Sequence, residues 1–536
     1  MELSPLSPAI MAAIAARPGT WGLAVFPLFL AAVLWIGWRS RRHWSSANDY
    51  LNASRSISTW AATLAFLAYN CGSIEVVGMS AMAAQYGVQA LQFYWAGGIP
   101  GMVFMGLVVL PVYMRTGARS LPEYLGMRFG PSVRLLNAVV SLIGTVCFSG
   151  VALYAASQVL HTILGWNFEA GILLCAAAVL AYVLAGGVRA SIFASIFQLF
   201  VMLAGLAPLM FFTVRLDAAG WARRAARWRL WSPLPAVSPH APLDRLGVLL
   251  GLGFVISFSY WCTDFVMIQR ALAARSIGEA RKVPLLAGFG KMGMAFFVVL
   301  PGVAAPALLP AGVPFDQTMP ALMRLEFGPA ALALGAAALV AGLTAWLAGN
   351  VSGFSALWVE EIYRVRLARR RTERHYIRAG QLAVAVCLLL AQFTAYAAFH
   401  FRNMMEFLQL IVALFYGPVF AAVLAGLASR RTTERSAFAG ICAGVAAALA
   451  LQCCFWTGIV RFGSQMNADF YAAILSFTVA LALCLSLGGR QLRLSGAAGR
   501  LVFDAALWRE LRPSAGLLAM SAALLATCLL LNLLWR

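Results

Sequence analysis

The sequence carries very little charge. Of its 536 residues, 11% are charged and 62% are hydrophobic, whereas soluble domains carry about 25% charged residues. This scarcity excludes a soluble globular protein, and no polar stretch is long enough for a separate soluble domain. Apolar runs of about 20 residues, enough to cross a bilayer, recur along the chain. They are continuous rather than alternating, and backbone groups in lipid must bond to one another. The predicted fold class is therefore an all-α polytopic membrane protein.

Acidic residues are scarcer than basic ones, with 19 Asp and Glu against 40 Lys and Arg, a formal charge of +21. A nucleic-acid partner is not expected, because the basic residues lie mostly in short links between spans. The lipid bilayer is the expected partner. Placing the arginine-rich links in the cytoplasm puts both termini outside. The link 214–244 must then be external despite its arginines, and we expect an amphipathic surface helix there.

The sequence also lacks the motifs of pumps and enzymes. No glycine-rich phosphate loop is followed by Lys and Ser or Thr, so ATP-driven transport is not expected. The ten cysteines show no paired metal-ligand spacing, and no catalytic constellation is visible. We expect neither enzymatic activity nor an organic cofactor, and an ion gradient is the expected driving force. No cleavable signal is expected, because basic residues follow the first apolar run rather than precede it.

About fourteen spans are predicted, and their order indicates two related halves. Spans 2–6 and 7–11 form two sets of five, and an odd number reverses the orientation of the second set, as in inverted repeats. The predicted spans are 20–38, 59–80, 91–113, 135–160, 168–186, 190–213, 245–268, 283–309, 329–358, 376–399, 404–428, 436–457, 467–487 and 514–534. The predicted boundaries are 1–58 (N-terminal segment, flanking helix and link), 59–213 (first repeat), 214–244 (external loop), 245–428 (second repeat) and 429–536 (C-terminal flanking helices).

Three charged residues fall inside predicted spans, where charge usually marks a functional site. Glu75 follows Asn70-Cys71-Gly72-Ser73, which interrupts an apolar helix. Either this segment unwinds around a site for a cation or an amine, or it is a kink in which Glu75 pairs with a neighbour. Asp264, in the symmetry-related helix, either faces that site or pairs with Arg270. Lys291 could bridge Glu75 or Asp264, reach the interface, or bind substrate.

A short helix is predicted in the cytoplasmic link at Ser120-Leu121-Pro122-Glu123-Tyr124-Leu125. Pro122 suits the first helical turn, and Ser120 is suited to cap the N-terminus. The expected role of this helix is to gate or to brace the neighbouring spans.

Five segments of the chain resemble the solute:sodium symporter family. They occur in a consistent order, and the match runs from about residue 20 to the C-terminus. The run Leu347-Ala348-Gly349-Asn350-Val351-Ser352 resembles a second bacterial branch of the family, beside the sodium/galactose branch. The five segments are Asn48-Asp49-Tyr50-Leu51 with Ala53-Ser54-Arg55; Gly78-Met79-Ser80 with Tyr86-Gly87; SLPEYLGMRFG from Ser120 to Gly130; Gly186-Gly187-Val188-Arg189 with Gln198; and Tyr260-Trp261 with Gln269 through Ser276.

The resemblance implies a LeuT-type core of two inverted five-helix repeats, working by alternating access in a bacterial-type inner membrane. It also implies a sodium site with hydroxyl ligands one helical turn after Gly342. The family's paired Ser/Thr ligands fall on Ala345 and Trp346, which leaves Thr344 or Ser352 as the hydroxyls nearest to the implied site. The family also has an acidic residue where this chain has Ala194-Ser195. Fewer oxygen ligands weaken such a site, so proton coupling through Glu75 and uncoupled transport are alternatives to the expected Na⁺. The expected sodium-binding residues are Ala68, Cys71, Gly342 and Thr344.

The sugar-binding positions of the galactose branch imply a substrate site in this chain. Some of these positions carry the same residue as the galactose branch, whereas Glu75, Tyr94 and Ser257 stand where that branch has Gln, Glu and Asn. A site loses much affinity for a sugar when its polar partners change, so galactose is not expected. The expected function is import of a small polar solute, and a solute sensor is a further alternative. The expected substrate-binding residues are Glu75, Tyr94, Ser257, Tyr260, Trp261, Lys291 and Gln409.

Overall fold

The computed structural model describes residues 24–40, 47–52, 57–118, 120–214, 230–231, 243–488 and 511–535. Within these ranges the regular secondary structure is helical, and one isolated β-bridge joins Ile57 to Ala274. The helices are α1 (Val25–Ser40), α2 (Ala47–Asn52), α3 (Thr59–Asn70), α4 (Ser73–Thr116), α5 (Leu121–Arg128), α6 (Pro131–Leu164), α7 (Phe168–Val214), α8 (Gly247–Thr263), α9 (Phe265–Leu272), α10 (Ile277–Leu308), α11 (Thr318–Glu326), α12 (Pro329–Leu367), α13 (Glu373–His400), α14 (Met404–Ala428), α15 (Glu434–Trp456), α16 (Gln465–Ser486) and α17 (Ala515–Leu534).

Ten helices in the described ranges are long and apolar enough to cross a membrane, or eleven if α8 and α9 form one span. The predicted count of fourteen is therefore not confirmed. Two helices account for much of the difference, because α4 has 44 residues and α7 has 47. At 1.5 Å per residue, each is about twice the thickness of a hydrocarbon core. Each also contains a glycine with positive φ, Gly87 at 69° and Gly187 at 61°, where the sequence predicts a link.

Two of the helices are broken at corresponding places in the predicted repeats. Cys71 and Gly72 separate α3 from α4, and Asp264 separates α8 from α9 with a bend of 55°. Each break lies in the first helix of a predicted five-helix set. Such discontinuous helices are typical of transporters with inverted repeats. The breaks agree with the predicted symmetry, whereas the repeat boundaries themselves stay a prediction.

The centre of the protein is formed by α12, whose side chains from Leu339 to Leu357 are all buried. Small residues let this helix approach its neighbours closely. A methyl group on Gly205 of α7, for example, would lie 2.9 Å from the carbonyl oxygen of Leu334. By contrast, only about a quarter of the residues in the most apolar stretches of α15 and α17 are buried. A site next to α12 therefore lies against a helix that is buried over most of its length.

The short helix α5 braces the ends of two longer helices. Ser120 caps it by accepting a hydrogen bond from the Glu123 N–H at 3.0 Å, as predicted. The Ser120 hydroxyl also donates to Glu361 of α12. At the other end, the Arg128 guanidinium donates to the carbonyl oxygens of Gly426 (2.9 Å) and Ser429 (2.5 Å), where α14 ends. These contacts favour the bracing role for α5.

The link between α10 and α12 packs against α6, and Asp316 holds it just before α11 begins. The Asp316 carboxylate accepts hydrogen bonds from the Met404 N–H (3.0 Å) and the Tyr154 hydroxyl (3.0 Å). Farther along, Arg324 donates to the carbonyl oxygen of Thr162 at 3.0 Å. This link lies outside the membrane-spanning helices, and burial raises the pKa of Asp316 to about 7 although both hydrogen bonds oppose the shift.

We predict that Asp316 makes stability depend on pH. An aspartate in an unfolded chain has a pKa of about 3.9, so the folded protein binds this proton more tightly. The stability contributed by Asp316 should therefore increase as the pH falls from about 7 toward 4, and decrease as the pH rises through 7. Asp316→Asn should reduce the difference in Tm between pH 5 and pH 7.5, measured in detergent.

The control for this prediction is Glu326→Gln, which changes a half-buried carboxylate at the end of α11 in the same link. It should keep the wild-type pH response. An unchanged response in Asp316→Asn would show that Asp316 does not titrate in this range.

Several expectations concern residues outside the described ranges. These are most of the amphipathic helix expected in 214–244, the resemblance at Ala53-Ser54-Arg55, and residues 1–23 at the N-terminus. The external position of the termini therefore stays a prediction.

Candidate functional site

The break between α3 and α4 leaves backbone groups without their usual helical partners. The Gly72 N–H and the Ser73 N–H would bond to Ala68 and Tyr69 in a continuous helix, but the described backbone hydrogen bonds include neither contact. A methyl group on Gly72 would lie 3.1 Å from the carbonyl oxygens of both Ala68 and Gly342. The break therefore directs carbonyl oxygens from α3 and α12 toward the same point.

Lys291 of α10 connects the two sides of this break. Its Nζ lies 2.6 Å from Asn70 Oδ1, at the end of α3, and 2.8 Å from Glu75 Oε1, in the first turn of α4. The Nζ also lies 4.7 Å from the ring centre of Tyr94 and 5.7 Å from that of Trp261. The start of a helix favours a carboxylate. Among the alternatives for Lys291, the structure thus shows the bridge to Glu75.

A cavity of about 100 Å³ opens beside this ion pair. Six of the seven predicted substrate-binding residues line it, and the ring of the seventh, Tyr94, lies 4.7 Å from Lys291 Nζ. The residues that line the cavity and were predicted are Glu75, Ser257, Tyr260, Trp261, Lys291 and Gln409. Most of the other lining residues are apolar. The structure therefore brings together predicted residues from four helices, although their roles in binding stay a proposal.

The polar atoms around the cavity are only partly satisfied. Glu75 Oε2, Gln409 Oε1 and the Tyr94 hydroxyl are buried and form no hydrogen bond in the described structure. The Ser257 hydroxyl is also without a partner, but it points toward Gly101, where a methyl group would lie 2.6 Å from it. Buried polar groups without partners are uncommon in folded proteins, so their concentration around this cavity marks it as a candidate site. The arrangement can accept hydrogen bonds from a small polar molecule.

Asp264 takes neither of the two roles expected for it. Its carboxylate caps α9 by accepting the Met267 N–H at 2.8 Å, and the Tyr416 hydroxyl lies 3.4 Å away. Arg270 instead donates to the carbonyl oxygen of Ala65 and to the Ser195 hydroxyl. The Asp264–Arg270 pair, one of the two alternatives, is not among the ion pairs of the described residues. Asp264 therefore stabilises the second broken helix and does not line the cavity.

Thr344 is separated from the other predicted sodium ligands. Its hydroxyl donates within its own helix, to the carbonyl oxygen of Val340 at 2.8 Å. It also accepts a hydrogen bond from Gln198 Nε2 at 3.2 Å. It follows Gly342 by two residues, which is a rotation of about 200° around the helix. Thr344 thus faces α7, whereas Gly342 faces Ser73. The prediction that its hydroxyl joins Ala68, Cys71 and Gly342 is corrected. The alternative, Ser352, also donates within its own helix, at 2.7 Å to Ala348.

Trp346 and a polar network were missed by the sequence analysis. The Trp346 ring lines the cavity and lies 6.1 Å from the Tyr69 ring. Tyr69 donates to Asn350 Oδ1 at 3.0 Å, and the Arg270 guanidinium lies 4.5 Å from the Tyr69 ring centre. Asn350 belongs to the run Ala348-Gly349-Asn350-Val351, which was noticed only as a resemblance. This network joins α3, α9 and α12 next to the break.

Two broken helices beside a cavity with a buried ion pair define a secondary transporter with a LeuT-type fold. The chain belongs to the sodium:solute symporter family, whose model matches residues 50–444. It is thus a sodium-coupled secondary transporter of small solutes.

Proteins similar to this chain are likewise sodium-coupled transporters. A sodium/glucose cotransporter from Vibrio parahaemolyticus is 27% identical over 491 residues, which cover 85% of this chain and 89% of the relative. Sodium/glucose cotransporter 4 from Homo sapiens is 26% identical, with 80% and 68% covered. A Na⁺-coupled sialic acid symporter, solved substrate-bound and outward-open, matches with a TM-score of 0.73 and 19% identity, covering 88% of this chain and 100% of that one.

We predict that Glu75 and Lys291 are strongly coupled. Glu75→Gln leaves a buried ammonium without its counter-charge and should lower the free energy of unfolding by about 3–5 kcal/mol. The double variant Glu75→Gln/Lys291→Met removes both charges, so it should lose less than the sum of the two single variants. Thermal unfolding in detergent measures all three variants.

Glu169→Gln, which alters an exposed carboxylate at the start of α7, is the control and should change the stability little. Additive losses in the double variant would contradict the pairing.

Proposed function

We propose that the cavity binds the transported solute and that the break between α3 and α4 binds the coupled Na⁺. The proposed sodium ligands are backbone carbonyls of Ala68, Cys71 and Gly342. Carbonyl oxygens are hard ligands of the kind that Na⁺ and Ca²⁺ prefer. Ala345 and Trp346 supply no hydroxyl, so this site relies on the main chain more than a site with two side-chain ligands would.

One observation supports both parts of the proposal. A single break of the chain contributes Asn70 and Glu75 to the ion pair at the cavity, and it also exposes the carbonyl of Ala68 opposite Gly342. A cation and a solute bound there would lie within about one helical turn of each other. Each would then stabilise the backbone conformation that the other requires, which is the physical basis of coupled transport.

The solute would enter the cell down the sodium gradient by alternating access. We place the chain in a bacterial-type inner membrane, with the arginine-rich links in the cytoplasm and both termini outside. The solute-binding residues proposed are those of the sequence prediction, together with Asn70 and Trp346. The relatives' names mention glucose. Glu75 stands where the family resemblance implies a sugar-binding Gln, so we propose a different solute for this chain.

We predict that Na⁺ stabilises the purified protein through the break. At matched ionic strength, NaCl should raise Tm relative to KCl and choline chloride. A ligand at a hundredfold excess over Kd adds about 2.7 kcal/mol of stability. Gly342→Ala should abolish this increase, because its methyl group would lie 2.5 Å from the Ser73 main-chain nitrogen and would displace the break.

The matched control is Gly293→Ala in α10, where a methyl group meets nothing within 4 Å. This variant should keep the full response to Na⁺. An increase that persists in Gly342→Ala would place the cation elsewhere, and an increase that follows pH but not Na⁺ would favour a proton carried by Glu75.

A further inference from the structure

We propose that the turn between α12 and α13 binds the headgroup of an anionic phospholipid, whose acyl chains lie along the outer face of α13. Neither the solute cavity nor the proposed sodium site takes part. Four features of this surface lead to the inference: its excess of arginine, the engagement of its glutamates elsewhere, the fixed shape of the turn, and an apolar stripe that continues from it.

The segment from Glu360 to Arg378, which joins the end of α12 to the start of α13, is rich in arginine. It contains seven arginines, three glutamates and no lysine, so positive charge is in excess. A planar guanidinium group can donate two parallel hydrogen bonds to one phosphate. Four to eight basic residues next to a membrane span are typical of sites for anionic lipids. Six of the arginines are exposed and form what we call the basic patch: Arg366, Arg369, Arg370, Arg371, Arg374 and Arg378.

The glutamates of this segment have partners outside the basic patch. The three contacts are Glu360 with Arg364 (3.7 Å), Glu361 with Arg134 (2.7 Å), and Glu373 with the Ala47 N–H (2.7 Å). Among the ion pairs of the described residues, none includes a member of the basic patch. The patch therefore presents guanidinium groups that an anion from outside the protein can reach.

The turn that carries the basic patch has a fixed shape. The Tyr376 side chain is buried, and its hydroxyl donates to the carbonyl oxygen of Ala368 at 2.8 Å. The same hydroxyl accepts from the Arg371 N–H at 3.1 Å. Between these two contacts, Arg370 has a φ of 58° and is the one residue other than glycine with positive φ in the described ranges. Such a backbone persists only where the surrounding structure holds it. The turn thus keeps like charges close together, and a bound anion would relieve their repulsion.

An apolar stripe on α13 continues from the basic patch. Arg374, Arg378 and Leu382 follow one another at intervals of four residues, so they lie on one face of the helix. With 28 residues, α13 is about 42 Å long, whereas a hydrocarbon core is about 30 Å thick. Its first turns therefore reach the headgroup region. The apolar stripe consists of side chains that are 39–76% exposed: Leu382, Val386, Leu389 and Phe393.

A phospholipid with net negative charge matches both parts of this surface. Its phosphate would accept hydrogen bonds from the basic patch, and its acyl chains would cover the apolar stripe. A zwitterionic lipid would bring a cationic group toward arginines that are already in excess, and a free phosphate would leave the stripe uncovered. Each arginine near the lipid surface should strengthen binding of an anionic lipid roughly fivefold.

The test measures Tm of the protein, purified in dodecyl maltoside, as each of three probes is added at matched ionic strength. The probes are dioleoylphosphatidylglycerol, dioleoylphosphatidylcholine (the same chains without net charge) and glycerol 3-phosphate (the phosphate without chains). We expect a saturable increase in Tm with phosphatidylglycerol, at a half-saturating concentration at least tenfold lower than for either other probe. An equal response to phosphatidylcholine would indicate ordinary solvation by lipid, and an equal response to glycerol 3-phosphate would indicate a site for free phosphate. Either result would overturn the proposal.

A triple variant tests whether the basic patch is the site. Arg371→Gln/Arg374→Gln/Arg378→Gln should raise the half-saturating concentration of phosphatidylglycerol at least tenfold. If this variant does not fold, Arg378→Gln alone, in the regular part of α13, should still raise it roughly fivefold. An unchanged concentration in the variant that folds would overturn the assignment.

The matched control removes three exposed arginines from the link between α14 and α15. In that link, Glu434 accepts a hydrogen bond from the Ser132 N–H at 2.7 Å, and Arg366 of the basic patch donates to the carbonyl oxygen of Pro131 at 3.4 Å. Both links therefore lie beside the start of α6, on the same side of the membrane. The control should change the half-saturating concentration less than twofold, and an equal loss in both triple variants would overturn a specific site. The control variant is Arg430→Gln/Arg431→Gln/Arg435→Gln.

Discussion

The ammonium group of Lys291 joins the two chain segments that flank the break between α3 and α4. Asn70 ends α3, Glu75 begins α4, and both accept hydrogen bonds from the same nitrogen atom. A charge at this depth would be strongly destabilising alone, so carboxylate and ammonium each stabilise the other. The open backbone at Gly72 and the adjacent cavity both depend on this arrangement.

Close packing on the opposite side gives the break its shape. Gly342 of α12 leaves room for Ser73, and the Ser73 hydroxyl donates to the carbonyl oxygen of Ala338 at 3.2 Å. Because a packed interior cannot deform gradually, a cation that draws in the carbonyls of Ala68 and Gly342 would shift α4 as a body. Glu75 lies on α4, so such a shift would reach the solute cavity. Linkage requires the reverse effect to be equally strong.

The sequence allowed the fold class and much of the candidate site to be predicted. Glu75 and Lys291 were detectable because charged residues are rare inside apolar spans. Gly72 was detectable because it interrupts an apolar helix. Side-chain direction was harder to predict. Thr344 was chosen as the nearest hydroxyl, but it faces α7, since helix rotation decides which residues share a surface. Trp346 was noted only as a missing hydroxyl, because nothing in the sequence shows that its ring closes the cavity.

Equilibrium binding of ²²Na⁺ to the purified protein tests the central claim most directly, because it requires no knowledge of the solute. The account predicts saturable binding that unlabelled Na⁺ displaces and that K⁺ at the same concentration does not. Binding should be lost in Gly342→Ala and kept in Gly293→Ala, since only the first change reaches Ser73. Absence of saturable binding, or equal binding in both variants, would contradict a sodium site at the break.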